Sequence, residues 1–155
     1  ELDGAPEWVL KGHGNDGSKI YGGGSVTGTN NPSLARSAAI GRGRDEIARS
    51  LQLKVAAMLK DYQATMTGGG EFNKAADDEQ LIVDVSKQIT SMTLTATHQE
   101  DTWISKQGAL YILMSLDIEH FKDAVKKMDD LSEEIRAAVV EHADKAFEEL
   151  AAETK

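Results

Sequence analysis

The stretch "YGGGSVTGTNNPSLAR", residues 21–36, decides how the chain is read, because it sets four glycines ahead of a proline and an alanine-bearing run. A phosphate loop needs glycines at its first and sixth positions, then Lys, then Ser or Thr, so that backbone N–H groups, a cation and a Mg²⁺-holding hydroxyl surround the phosphates. Gly23 and Gly28 have that spacing, but Thr29 and Asn30 follow, and the charge that would hold a nucleotide is missing. The dinucleotide fingerprint fails too, since Gly22 and Gly24 would require a glycine where Thr27 stands. The glycines therefore read as a flexible exit from a short strand, and no nucleotide is expected to bind.

Working outward, residues 19–26, with Ile20, Tyr21 and Val26, fit that strand, and Asn31-Pro32 is an N-cap followed by proline at the first helical position. From Pro32 to about Tyr62, apolar residues at Ile40, Ile47, Leu51, Val55, Met58 and Tyr62 line one face of a helix on the order of 45 Å long. Small residues at Ala35, Ala38, Ala39, Gly41 and Gly43 let its backbone approach a sheet or another helix. Residues 65–80 carry turn chemistry and then an acidic run, and read as a loop. Leu81, Val85, Ile89 and Met92 predict a second helix, after which "TLTATHQEDTWIS" (93–105), with Leu94 and Ala96 alternating against Thr93, Thr95 and Thr97, predicts a strand of about six to ten residues.

After the turn signal Gln107-Gly108, "ALYILMSLDI" (109–118) sets Leu110, Ile112, Met114, Leu116 and Ile118 on one strand face, with Leu113 on the more open side. Phe121, Val125 and Met128 mark a short helix. Ser132 caps a final one carrying Ile135, Val139, Ala143, Ala146 and Leu150. The order is β-α-α-β-β-α-α, which predicts an α+β class: a small antiparallel three-stranded sheet covered by helices. Residues 1–18 are polar and glycine-broken and read as a flexible N-terminal tether in which only Trp8 and Val9 are able to dock; residues 19–155 form a single domain.

The net charge of −9 argues against nucleic acid and against an anionic membrane face. With no cysteine there is no disulfide, thiolate nucleophile or Cys-based zinc site. The longest nearly apolar run, Ala109–Leu116, is far short of the roughly 20 residues that span a bilayer. His13, His98, His120 and His142 show no metal-ligand spacing, so neither metal nor cofactor is expected. Glu100 and Asp101 read as a solvated turn rather than a catalytic carboxylate pair, and no serine stands in a nucleophile motif. Arg36, Arg42, Arg44 and Arg49, partly offset by Asp45 and Glu46, read as a solvated helix face before an anion site.

The strings "GAPEWV" (4–9), "YGGGSVTG" (21–28), "LARSAAIGRGRDEIARSL" (34–51), "EDTWISKQGALYILMSLD" (100–117) and "FEELAAE" (147–153), in that order, resemble the bacterial surface lipoproteins of the twenty-kilodalton LPP family. The resemblance implies a secreted α+β domain of the cell envelope, outer-membrane anchored through an N-terminal lipid or periplasmic, like domains of envelope and flagellar accessory proteins. The family brings no catalytic residues to carry over, and its lipid-bearing Cys is absent from this chain. Glu1 in place of Met, with no leader after it, fits removal of an upstream signal peptide ending in a small-residue cleavage site and a Cys. The expected function is a non-enzymatic envelope domain acting in structural assembly or protein–protein contact, with other envelope proteins or a second copy as partners. The alternatives are a small-molecule or anion binder using the glycine stretch and the basic half of the long helix, and an enzyme with a carboxylate site assembled by folding.

Overall fold

The strand segment richest in apolar residues takes the centre of the sheet, where both of its faces are covered. The computed structural model describes residues 2–28, 30–67 and 75–153. Along them run α1 (Glu7–Lys11), β1 (Lys19–Val26), α2 (Pro32–Thr67), α3 (Ala75–Thr93), a 3₁₀ turn at Leu94–Ala96, β2 (His98–Ile104), β3 (Leu110–Asp117), α4 (Ile118–Lys126) and α5 (Glu133–Glu153). The sheet order is β1-β3-β2 with both pairings antiparallel, so the class is α+β: helices packed on a three-stranded antiparallel sheet.

The glycines of β1 are not a flexible exit from the strand. Gly22 and Gly24 pair with Met114 and Ile112 and share their core-facing side, where α2 crosses. A Cβ on Gly22 would stand 2.2 Å from the Gly43 carbonyl oxygen, and one on Gly24 2.0 Å from that of Ala39. The strand and the helix therefore meet backbone to backbone, the close packing that a failed dinucleotide fingerprint had no power to exclude. Ile20 on β1, Ile47, Leu51 and Val55 on α2, Ile112, Met114 and Leu116 on β3, and Phe121, Val139 and Phe147 beyond form one buried cluster around this contact.

Local signals placed the starts of the long helix and of the last one correctly. Leu34 N–H donates to the Asn31 side chain at 3.1 Å, and Ile135 N–H to the Ser132 hydroxyl at 3.2 Å. The Asp117 side chain, accepting from Glu119 N–H at 2.8 Å, turns the chain from β3 into α4 so that Ile118 opens a helix. Four expectations fail. The long helix continues past Tyr62 to Thr67, and residues 75–80 of the expected loop are helical; its residues 68–74 lie outside the described ones. The strand expected within 93–105 forms only from His98, as β2; the segment around Leu94 and Ala96 is a 3₁₀ turn, because Thr95 and Thr97 hydroxyls donate back to the carbonyls of Met92 and Leu94 (2.7 Å each) and close it. On α3 the buried stripe is Ile82, Ser86, Ile89 and Thr93, whereas Leu81 and Met92 are exposed. Ser86 and Thr93 satisfy their hydroxyls on carbonyls three residues earlier, which lets polar residues line the buried stripe where a count of apolar ones misses them.

The fourth concerns the outer sheet face. Leu113 and Ser115 are buried there, 5% and 0% exposed, so β3 is covered on both sides. Part of the cover comes from the segment expected as a tether. Trp8 Nε1 donates to Asp101 at 3.1 Å, and the buried Asn15 accepts Tyr21 N–H at 2.8 Å. Asp16 takes the backbone N–H groups of Ser18 and Lys19. The physical demand is that of an edge strand, whose outward N–H groups need acceptors; Asn15 serves Tyr21 and Glu46 serves Gly23.

Candidate functional site

Gly22, Gly23 and Gly24 of the glycine stretch are turned to other contacts than a phosphate. Gly22 and Gly24 face α2, and Gly23 N–H donates to Glu46 Oε2 at 3.3 Å, so a carboxylate stands where an anion would have to sit; Thr29 lies outside the described residues. The arginines tie α2 to the sheet. Arg36 donates to Gln99 at 2.9 Å, Arg42 to the Ser25 carbonyl, and Arg44 to the Thr97 hydroxyl at 3.1 Å.

Glu100 and Asp101 stand on β2 rather than in a turn. The register shifts between Gln99 and Asp101, which face the consecutive residues Met114 and Leu113, and Glu100 is the extra residue of a β-bulge. One carboxylate oxygen, Glu100 Oε1, accepts from Lys19 Nζ at 2.7 Å and the Ser115 hydroxyl at 2.8 Å and lies 3.1 Å from His98 Nε2. Folding has thus brought a serine, a histidine and a carboxylate together, with the His120 ring centroid 6.2 Å from that of His98. The geometry differs from a nucleophilic triad, in which the serine and the carboxylate engage opposite ring nitrogens. Here both meet Nε2, with Ser115 at 3.3 Å, and the serine is fully buried. The cluster is a polar clasp joining β1, β2 and β3. Among the described residues no group of three or more His, Cys, Asp or Glu side chains is placed to hold a metal ion.

The clasp has a pH signature. Hydrogen bonds from Lys19 and Ser115 hold the Glu100 carboxyl below the ordinary value of 4.5, and the bond to Glu100 raises Lys19. A carboxylate depressed in the folded state adds stability above its unfolded value and loses it as the pH falls through its folded value. Glu100→Gln is therefore expected to cost about 1–2 kcal/mol at neutral pH, the scale of a part-exposed charge-assisted bond. Urea unfolding well below pH 4.5 should find wild type and variant converging; a gap of equal size at both pH values would show that the Glu100 charge plays no part.

Beside the clasp, on the same sheet face, lies a cleft of about 230 Å³ between the N-terminal segment and the strands. Trp8, Val9 and His13 form one wall, Tyr21, Tyr111 and Leu113 the other, with Glu46 at its edge. His13 stacks on Tyr21 at a centroid distance of 3.9 Å, and Trp103 packs on Tyr111 at 5.6 Å. Docking of Trp8 was legible in the sequence. Glu46 was not, because it read only as a charge offsetting the arginines. No protein-family model matches this chain, and no curated protein matches it.

Proposed function

We propose that the chain is a non-enzymatic domain of the bacterial cell envelope that works through protein–protein contact, held at the outer membrane by an N-terminal lipid or retained in the periplasm. The resemblance to the twenty-kilodalton LPP lipoproteins is what supports the location. The observation that supports the non-enzymatic part is the clasp, whose Ser-His-carboxylate group is spent on internal bonds with its serine buried. One acyl chain binds membranes only marginally, so stable anchoring needs several chains on one Cys.

Fractionation of cells expressing the native gene tests this reading. The full-length protein should enter the detergent-extracted membrane fraction, and a Cys→Ser variant of its precursor the periplasmic soluble fraction. A leaderless native protein in the cytosol would overturn the envelope assignment and move the small-molecule reading to first place. That second reading is favoured by the aromatic cleft. Its anion form is not, since Arg36, Arg42 and Arg44 are each engaged.

A further inference from the structure

The cleft under α1 gathers aromatic rings, the His13 imidazole and the Glu46 carboxylate. Both tryptophans and two of the three tyrosines of the chain stand on or over this sheet face. Trp8, Tyr21 and Tyr111 line the cleft itself, and no Lys or Arg does. The basic residues nearby are committed elsewhere, Arg42 to the Ser25 carbonyl, Lys19 to Glu100 and Lys11 to Glu7. Glu46 stands one helical turn after Arg42 on α2, yet it makes no ion pair among the described residues and its one side-chain bond is the 3.3 Å contact from Gly23 N–H. An unpaired carboxylate at the edge of an aromatic-walled cleft attracts a cation twice, by charge and through the negative faces of the rings. The net charge of −9 adds long-range attraction of the same sign. At about 230 Å³ the cleft is smaller than the roughly 300–1,000 Å³ of drug-sized sites, so its occupant is small.

We propose that this cleft binds an alkylammonium head group, with Glu46 as counter-ion and Trp8, Tyr21 and Tyr111 as the aromatic wall. Such a head group comes either as a free quaternary ammonium compound or as a lysine side chain of a protein partner. The proposal stands independently of where in the cell the protein resides.

Trp8 lines the site and Trp103 packs on its Tyr111, so intrinsic fluorescence reports occupancy. Tetramethylammonium chloride, titrated at constant ionic strength against sodium chloride, should give a saturable change that sodium chloride does not. The neutral isostere 3,3-dimethylbutanol should give none at the same concentrations. Glu46→Gln keeps an oxygen for Gly23 N–H and should fold with an unchanged melting temperature, yet weaken tetramethylammonium binding about tenfold. Tyr111→Leu should weaken it about threefold or more through loss of a ring face. Tighter binding of tetramethylammonium than of capped lysine amide identifies a free quaternary ligand, and the reverse order a partner's side chain. The absence of saturable binding by either cation, an equal response to the neutral isostere, or undiminished affinity in a folded Glu46→Gln protein would each overturn the proposal.

Discussion

Replacing Gly24 with alanine is expected to lower the stability of the domain by about 3 kcal/mol or more, at or beyond the top of the usual range for an overpacked site. The new Cβ would lie 2.0 Å from the Ala39 carbonyl oxygen and 2.9 Å from both the Ala39 carbonyl carbon and Gly43 N. All three are backbone atoms of α2, so no rotamer change relieves the clash and the helix must lift from the sheet. Gly22→Ala meets the Gly43 carbonyl oxygen at 2.2 Å and should behave alike. Gly43→Ala should be costly too, because its Cβ would stand 2.7 Å from Cγ of the buried Met114 and 3.0 Å from the Gly22 carbonyl oxygen. Two controls come from the same segments. Gly23 has nothing within 4 Å of its missing Cβ, and alanine there should change stability by no more than about 0.5 kcal/mol. Gly41 also faces open space inside a helix, where alanine should gain about 0.5–1 kcal/mol from propensity alone. Urea unfolding of the five variants decides it; equal losses for Gly23→Ala and Gly24→Ala would sink the close-contact account.

The second large effect is expected at the aromatic pair that joins the C-terminal helices to the core. Phe121 on α4 and Phe147 on α5 are both fully buried, with ring centroids 5.6 Å apart. Truncating either to alanine should cost about 3–5 kcal/mol, the sum of lost transfer energy and a cavity that close-packed neighbours cannot collapse. Against a total stability of about 5–15 kcal/mol, either variant would be near the unfolding threshold at physiological temperature. A double-mutant cycle should give a coupling of about 0.5–1.5 kcal/mol, because once one ring is gone the other has already lost its partner. A single variant losing less than about 1 kcal/mol would show that the helices dock by other contacts.

Phe147 illustrates where periodicity falls short. The stripe read along the last helix, Ile135, Val139, Ala143, Ala146 and Leu150, is right as far as it goes, but the largest buried residue of the helix stands beside it. A widened apolar face follows from α2 and α4 both packing on α5, and neither neighbour is visible in a local window. On α3 the error runs the other way: the buried stripe includes Ser86 and Thr93, whose hydroxyls are satisfied by their own helix. The candidate site was less legible still. Trp8 stood out as a docking residue, whereas Glu100 and Asp101 read as a solvated turn and Glu46 as background charge. Their roles depend on a one-residue bulge and on which α2 turn crosses β1, and both are set by chain segments distant in sequence.

The sequence by itself determined the features whose physics is local: the N-caps at Asn31 and Ser132, the turn at Gln107-Gly108, and the failure of both glycine fingerprints to supply the residues of a phosphate site. Each depends on φ preferences, on a hydrogen bond spanning a few residues, or on the presence of one side chain at one offset, so neighbours along the chain suffice to decide it. Tertiary structure decided the order β1-β3-β2, the burial of Leu113 and Ser115, the stripe that α3 turns inward, and the clasp and cleft of the outer face. It also decided what the glycines are for. A missing Cβ has no meaning until something stands where it would have been, and at Gly22 and Gly24 that something is the backbone of a helix contributed by residues 39–43.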